Sequence, residues 1–251
     1  MGVLNVTPDS FSDGGRYVDP EAAVAHGLAM VAEGADVVDV GGESTRPGAE
    51  PVTPGEERRR VEPVVAALAP HVRVSVDTRR AEVAVAAIGA GATLVNDVSA
   101  SLWRVAAEAQ VGWVAMHMQG EPRTMQDDPR YDDVVSEVRD HLVARAEEAL
   151  AGGVGEVWVD PGIGFGKTGT HNLELLRRLD ELVAAGHPVV VGASRKRFLG
   201  DLTGGAPVDD RLEASVAVAV WSMAHGVAMV RVHDVAATVA GARLLGDEVA
   251  V

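Results

Sequence analysis

Short apolar runs alternate with amphipathic stretches from one end of the chain to the other. The runs fall at residues 2–6, 36–40, 72–76, 93–95, 113–116, 157–159, 188–191 and 228–230. They are brief and nearly continuous in apolar character, the pattern of strands covered on both faces. Helical periodicity fills the intervals at 20–33, 54–68, 80–88, 102–109, 133–150, 171–184, 209–225 and 235–245. Asp19 and Thr53 stand before Pro20 and Pro54, which reads as an N-cap followed by proline in the first helical position. Gly34, Gly152 and Gly186 close helices. The run Glu56-Glu57-Arg58-Arg59-Arg60 reads as a solvated helix face with i,i+4 pairs. Repeated strand–helix units predict a parallel sheet with right-handed crossovers, and such units over 251 residues suit a single α/β domain, a (β/α)8 TIM barrel spanning 1–251.

Composition narrows the function classes. Hydrophobic residues make up 47% of the chain, enough for a large core. No apolar run approaches the roughly 20 residues that cross a bilayer, and the N-terminus shows no basic leader, so no membrane partner and a cytoplasmic location are expected. The net charge of −15 argues against nucleic acid as a partner. The absence of cysteine from the sequence excludes disulfides, thiolate metal sites and a cysteine nucleophile.

Chemistry-bearing residues gather after the strands: Asn5, Thr45-Arg46, Asp77, Asn96, His117, Asp160, Ser194 with Lys196, and Arg231 with His233. In a parallel barrel these positions meet at one mouth, where such folds place their chemistry. Strand six ends at Asp160, since Pro161 cannot extend a ladder, and the glycine-rich loop Pro161-Gly162-Ile163-Gly164-Phe165-Gly166-Lys167 follows. Two carboxylates and an amide (Asp77, Asp160, Asn96) suit the donor edge of a flat heterocycle. Thr45, Arg46, Lys196, Arg231 and His233 suit phosphate and carboxylate oxygens. Lys196 admits two readings: a Schiff-base amine with its pKa lowered by the flanking arginines, or a cation for an anionic ligand. No Ser-His-Asp pattern and no three-ligand metal cluster is legible, which argues against a permanent protein-caged metal; Asn5 offers an amide oxygen at the mouth, and Mg²⁺ prefers oxygen ligands and often binds through substrate phosphates.

Several motifs, in order and over nearly the whole chain, resemble the dihydropteroate synthases. They are GVLNVTPDSFSDGG at 2–15, DVGGESTRPG at 39–48, SVDT at 75–78, NDVS at 96–99, MHMQG at 116–120, DPGIGFGK at 160–167, GASRK at 192–196 and RVHD at 231–234. The resemblance implies condensation of 6-hydroxymethyl-7,8-dihydropterin diphosphate with p-aminobenzoate to 7,8-dihydropteroate and diphosphate, a step of folate biosynthesis. By residue match, Asp77, Asn96, Asp160 and Lys196 would hold the pterin. Val98, Met116, Phe165 and Gly192 would line its slot, with the Arg231 guanidinium stacked on the ring. Asn5, Thr45, Arg46, Arg231 and His233 would take the diphosphate, with Mg²⁺ near Asn5. Thr45, Arg46, Pro47, Phe165, Ser194 and Lys196 would form the aminobenzoate site, which sulfonamides share in that family. Asp77, Asp160, Lys196 and Arg231 would carry catalysis: diphosphate leaves first and the aryl amine then attacks. The loops 7–17 and 43–50 would close over the diphosphate.

The chain departs from the family pattern at two places. The first strand starts at Met1 with no preceding hairpin, which predicts either a more exposed barrel floor or a true start upstream. Ala100-Ser101-Leu102-Trp103 replaces an expected glycine pair. The rival readings are a non-catalytic pterin-binding paralogue, a pterin-dependent methyltransferase and an inactive structural barrel. The intact phosphate and aminobenzoate residues, and the clustered cations, argue against all three. Surplus apolar residues on the late helices, among them Val216, Val218, Val220, Trp221 and Met223, predict a homodimer through the C-terminal helices.

Overall fold

Strand alternation divides every apolar run into two sets. In β2 (Val37–Gly41), Val38 and Val40 pack outward among helix residues such as Val61 and Leu68, while Val37 packs with Met1, Leu94, Val114 and Val190 in a separate inner cluster. The same division recurs in β4 (Leu94–Asp97), β5 (Gly112–Met116) and β6 (Val157–Asp160), while in β3 (Arg73–Asp77) Val74 and Val76 pack outward and the inner positions are polar. Because side chains alternate sides with period two, Asp39, Ser75, Asp77, Asn96, Met116 and Asp160 fall on the inner face. The computed structural model describes residues 1–7, 19–44, 52–121 and 124–246.

All the pairings are parallel. β1 (Gly2–Asn5) to β6 form one sheet in sequence order, and β7 (Val190–Val191) pairs β8 (Met229–Val230). Bridges Val159↔Val189 and Gly2↔Val232 join the two sheets at both seams. Val159 N–H donates to Pro188 O at 3.0 Å, and Val3 N–H donates to Val232 O at 2.9 Å. The barrel is therefore closed, with α1 (Pro20–Ala32), α2 (Pro54–Leu68), α3 (Ala81–Gly89), α4 (Trp103–Ala109) and α5 (Val134–Ala151) outside it. The floor is well covered, against expectation: Met1 is 8% exposed and its amine donates to Val230 O at 3.0 Å.

The last third of the barrel differs from the sequence reading. The helix expected at 171–184 is α6 (Gly169–Arg177) and α7 (Leu179–Val183), broken where Arg178 leaves helical geometry at φ −115°. Its guanidinium reaches Asp133, the N-cap of the preceding helix α5, at 3.0 Å and Glu181 on α7 at 2.6 Å, contacts that reward the break. A further short helix, α8 (Arg197–Leu202), lies between strand seven and the helix expected from 209. The helix expected from 209 begins as a 3-10 turn, Val208–Asp210, and becomes α9 (Leu212–Ala224) only after Arg211, whose side chain bonds Ala206 O and Arg195 O. α10 (Val235–Ala242) follows β8. The substituted stretch at 100–103 is closed by Asp97, whose carboxylate accepts from the N–H groups of Ser99, Ser101 and Leu102, with Ala100 at φ 50°. Glu57 also breaks its expectation: it is 1% exposed, although Arg58–Glu62 is a solvated i,i+4 pair and Arg60–Glu56 an i,i+4 pair whose arginine is largely covered and donates to Gly42 O.

Candidate active site

Arg231 crosses from the end of β8 to the opposite wall of the barrel. Its Nε donates to Asp39 Oδ2 at 2.6 Å and an Nη donates to Asp77 Oδ2 at 2.8 Å. Asn96 Nδ2 donates to that same Asp39 oxygen at 2.9 Å. Strand register sets this up: Gly41, Asp77 and Asn96 are successive partners across β2, β3 and β4, with Asp39 one inner position below. Burial works against the Arg231 charge, but Asp39 and Asp77 outweigh it and hold the guanidinium ionised. Burial also pushes Asp77 up to about 7, against the pull of Arg231 and with help from Asp39. Near neutrality this carboxyl is thus close to balance between acid and carboxylate.

Asp39 was missed in the sequence reading as a site residue. It is fully buried and binds two of the expected ligand residues through one oxygen. Its other oxygen, Oδ1, and Ser75 Oγ, on the register partner of Asp39, have no partner among the described residues. The available signal was a carboxylate in the middle of an apolar run, the one place where burial without a partner is prohibitive.

Asp160 closes the ring of acids from β6. Gly162 N–H donates to its Oδ1 at 2.7 Å, and burial raises its pKa while Lys196 opposes. Gly192 sits where an added Cβ would be 3.6 Å from Arg231 Cβ and 3.9 Å from Asp160 Oδ2, so this glycine lies between the two and leaves the inner surface flat. Val98 and Met116 are both 4% exposed. Lys196 projects over the loop after β6: its Nζ donates to Ile163 O and stands 4.6 Å above the Phe165 ring. Burial lowers its pKa to about 8, with Asp160 opposing. The flanking arginines expected to do this are not the cause. Arg195 turns away to pair with Asp234 at 2.5 Å, and the arginine that contributes is Arg231.

Some of the residues expected to take the diphosphate are described. His233 Nδ1 lies 3.0 Å from Ser194 Oγ, and its backbone N–H donates to that hydroxyl at 3.2 Å, so these two expected residues adjoin. Asn5 is half-buried at the end of β1, and a Cβ built on Gly41 would be 3.8 Å from its Oδ1 and 3.5 Å from Asp77 Cβ. Thr45, Arg46 and Pro47 lie outside the described residues, as do most of the segments 7–17 and 43–50. The residues on either side of the second segment are described. Arg80 pairs with buried Glu57, and also donates to Glu43 Oε1 at 2.8 Å and Val52 O at 2.9 Å. Thr78 Oγ1 donates to Glu57 Oε1 at 2.7 Å. This network of buried charge explains why Glu57 leaves the solvated face.

Among the described residues no group of three His, Cys, Asp or Glu side chains is placed to hold a metal ion. The donor chemistry does fit an ion that arrives on a substrate phosphate. Asn5 offers one neutral oxygen beside the Asp77 carboxyl, an environment suited to a hard cation that keeps waters and phosphate oxygens.

Taken together, the mouth can accept hydrogen bonds from a flat donor edge at Asp77 and Asp160, present an amide at Asn96, and meet negative charge with Arg231, Lys196 and His233. Comparison with known proteins agrees. The pterin binding enzyme family matches residues 1–233. A dihydropteroate synthase of Mycobacterium leprae is 52% identical over 260 residues, covering 98% of this chain and 92% of that one. The structure of the Xanthomonas albilineans dihydropteroate synthase with 4-aminobenzoic acid superposes at a TM-score of 0.91, with 47% identity and 98% and 90% of the two chains covered. That of the Thermus thermophilus enzyme in complex with 6HMPPP superposes at 0.85, with 46% identity and coverage of 98% and 92%. With its barrel, its motifs and nearly its whole length held in common with these enzymes, the chain belongs to the pterin binding enzyme family, among the dihydropteroate synthases.

Proposed function

We propose that this chain joins 6-hydroxymethyl-7,8-dihydropterin diphosphate to p-aminobenzoate, giving 7,8-dihydropteroate and diphosphate. The observation that carries the proposal is the inward-facing set Asp77, Asn96 and Asp160 with Arg231 and Lys196 across from it. In this reading the two carboxylates and the amide take the amino-pyrimidine edge of the pterin. Met116, Val98 and the bare backbone of Gly192 flank its faces, and Arg231, already oriented by Asp39 and Asp77, lies against the ring.

The C–O bond at the exocyclic methylene breaks first and its electron pair leaves with the diphosphate. Asp77 and Asp160 favour the cation left on the pterin, because a ring edge held by acceptors spreads positive charge more easily. Asn5, His233, Arg231, Thr45 and Arg46 receive the diphosphate. Asn5 and the substrate's own phosphate oxygens would hold Mg²⁺, which when bound neutralises charge on the leaving group. The aryl amine forms the new C–N bond, and its surplus proton passes to water or to the departed diphosphate, so no strong base is required. Phe165 and Lys196 would seat the aminobenzoate, with Ser194, Thr45, Arg46 and Pro47 completing its pocket and the sulfonamide site.

Among the described residues no helix is long and apolar enough to cross a membrane. A cytoplasmic setting belongs to this proposal, and so does a homodimer through the C-terminal helices. The support for a dimer is Trp221, 47% exposed on α9, with Leu212, the first residue of that helix, at 38%. Val216 and Val220 are not part of that free face: they pack against Gly241 of α10. Light scattering at micromolar concentration should give twice the chain mass, and a monomer mass removes the dimer.

The direct test is incubation of the pure protein with dihydropterin diphosphate, Mg²⁺ and p-aminobenzoate, followed by quantification of dihydropteroate. Product should form and should be lost with Lys196→Ala. Pterin binding without product would instead assign a non-catalytic pterin-binding role.

A further inference from the structure

The loop after β6 is held from beneath by a second lysine, one that plays no part in the chemistry above. Lys167 is 2% exposed. Its Nζ lies 3.0 Å from His117 Nδ1, 3.0 Å from Phe165 O, 3.1 Å from Gly162 O and 3.3 Å from His117 O. Every one of these partners is an acceptor, which matches an ammonium with its three donors. Burial draws the lysine pKa down to about 7, with Asp160 opposing. Burial, aided by Lys167, draws His117 down to about 3, so its ring is neutral and Nδ1 can accept.

The loop folds inward because of its glycines. Gly162 and Gly166 have φ of +65° and +60°, and an added Cβ would stand 1.8 Å from His117 O and 2.2 Å from Gln119 O. The loop backbone therefore lies directly on the chain that follows β5. Its carbonyls are then divided among separate side chains: Gly162 and Phe165 to Lys167, Ile163 to Lys196, Gly164 to Gln126 at 2.6 Å, and Gly166 to Tyr131 at 2.8 Å. Lys167 grips the inner side. The outer side presents the Phe165 ring and the Ile163 carbonyl, the two groups on which Lys196 rests.

We propose that Lys167 is a positioning residue for the aryl amine: its buried amino group locks the 161–166 loop onto the end of β5 and so fixes Phe165 and Lys196. The inference rests on the synthase reading. Its selectivity follows from where the other ligands stand. Asp77 and Asn96 are on strands that this loop does not carry, and Asp160, although it directly precedes the loop, is the last residue of β6, where the strand ladder fixes its backbone. Phe165 and Lys196 are also expected neighbours of the pterin, but its donor edge keeps Asp77, Asn96 and Asp160 when the loop loosens, whereas the aminobenzoate seat loses both of its described loop-side groups and should be disturbed more.

The test is steady-state kinetics of Lys167→Met, varying each substrate against saturating levels of the other. KM for p-aminobenzoate should rise about tenfold or more, as for the loss of a charge-assisted anchor, while KM for dihydropterin diphosphate stays within about threefold. His117→Leu, which removes one of the four acceptors and leaves the lysine and the carbonyls, should shift the same constant in the same direction by about threefold; it serves if Lys167→Met fails to fold. Equal changes in both KM values, or a lowered Tm with both unchanged, would reduce Lys167 to a structural part and overturn the inference. Wild-type protein that makes no product overturns the synthase reading itself and the inference with it.

Discussion

The two sides of the barrel mouth hold their cations by opposite means. On the β2–β3 side, Arg231 lies between two carboxylates, and charges on regular strands neutralise one another across the barrel. On the β6–β7 side, two lysine amino groups, Lys167 and Lys196, are held mainly by backbone carbonyls, those of one glycine loop and of His117, with Asp160 near both. The first arrangement is costly to break from either partner, since a buried charge is left alone. The second is costly only through geometry, because carbonyls are neutral and the loop must keep its shape to present them. The charged side should therefore answer to substitution in stability, and the loop side in substrate selectivity.

The largest effect expected is from Arg231→Met, which strands Asp39 and Asp77 in the barrel. It should cost about 3–5 kcal/mol of unfolding free energy along with nearly all activity. Urea denaturation checks the first quantity, and a stability within about 1 kcal/mol of wild type would show that the ion pairs are not a strut of the barrel. Lys196→Ala should be the contrast. It should lower kcat/KM by about a hundredfold or more yet leave Tm nearly unchanged, because it removes a costly buried charge together with the contact it makes. A fall in Tm as large as that of Arg231→Met would erase the distinction between the two sides. Gly162→Ala should destabilise by about 1–3 kcal/mol through its left-handed backbone and its approach to His117 O, and its KM for p-aminobenzoate should move further than its KM for the pterin.

The smallest effect is a difference in pH dependence. Asp77 has its folded-state pKa raised from 3.8 to about 7, so its contribution to stability is fully present below 3.8 and is lost as pH rises through about 7. His117 is lowered from 6.5 to about 3, so its contribution is present above 6.5 and is lost as pH falls toward about 3. Melting curves between about pH 5 and 8 should show Asp77→Asn gaining on wild type toward the alkaline end, and His117→Gln gaining toward the acid end. Asp77 must be ionised to accept from a pterin edge, so binding near pH 7 should also release protons. Calorimetry in buffers of different ionisation heat measures that release, and Asp77→Asn should abolish it.

Much of the β2–β3 side was legible beforehand. Asp77 and Asn96 stand at the ends of apolar runs, and a parallel barrel brings such ends to one mouth whatever the details of packing. Asp39 escaped because it lies inside its run, where the sequence shows a strand residue and only the inner register shows a ligand for Arg231. On the β6–β7 side the loop was recognised, with its glycines and Lys167, but the role of Lys167 was not. That role depends on carbonyls, and every residue carries one, so no residue type marks them. Glu57 is a similar case, since its charge run looks solvated until Arg80 and Thr78 arrive from a later strand end.

The sequence by itself determined the repeating strand–helix pattern, the closed barrel and the identity of the acids, amides and cations at the mouth. These follow from periodicity and side-chain chemistry, which are written locally. The tertiary structure alone decided which cation meets which acid, where the late helices break, and what depresses the Lys196 pKa. It gave Arg195 to Asp234 and Arg178 to Asp133, and placed Arg231 rather than the flanking arginines near Lys196. The physical reason is that charges interact through space and through desolvation. Both depend on distances between segments that lie far apart in the chain, and those distances exist only once the barrel has closed.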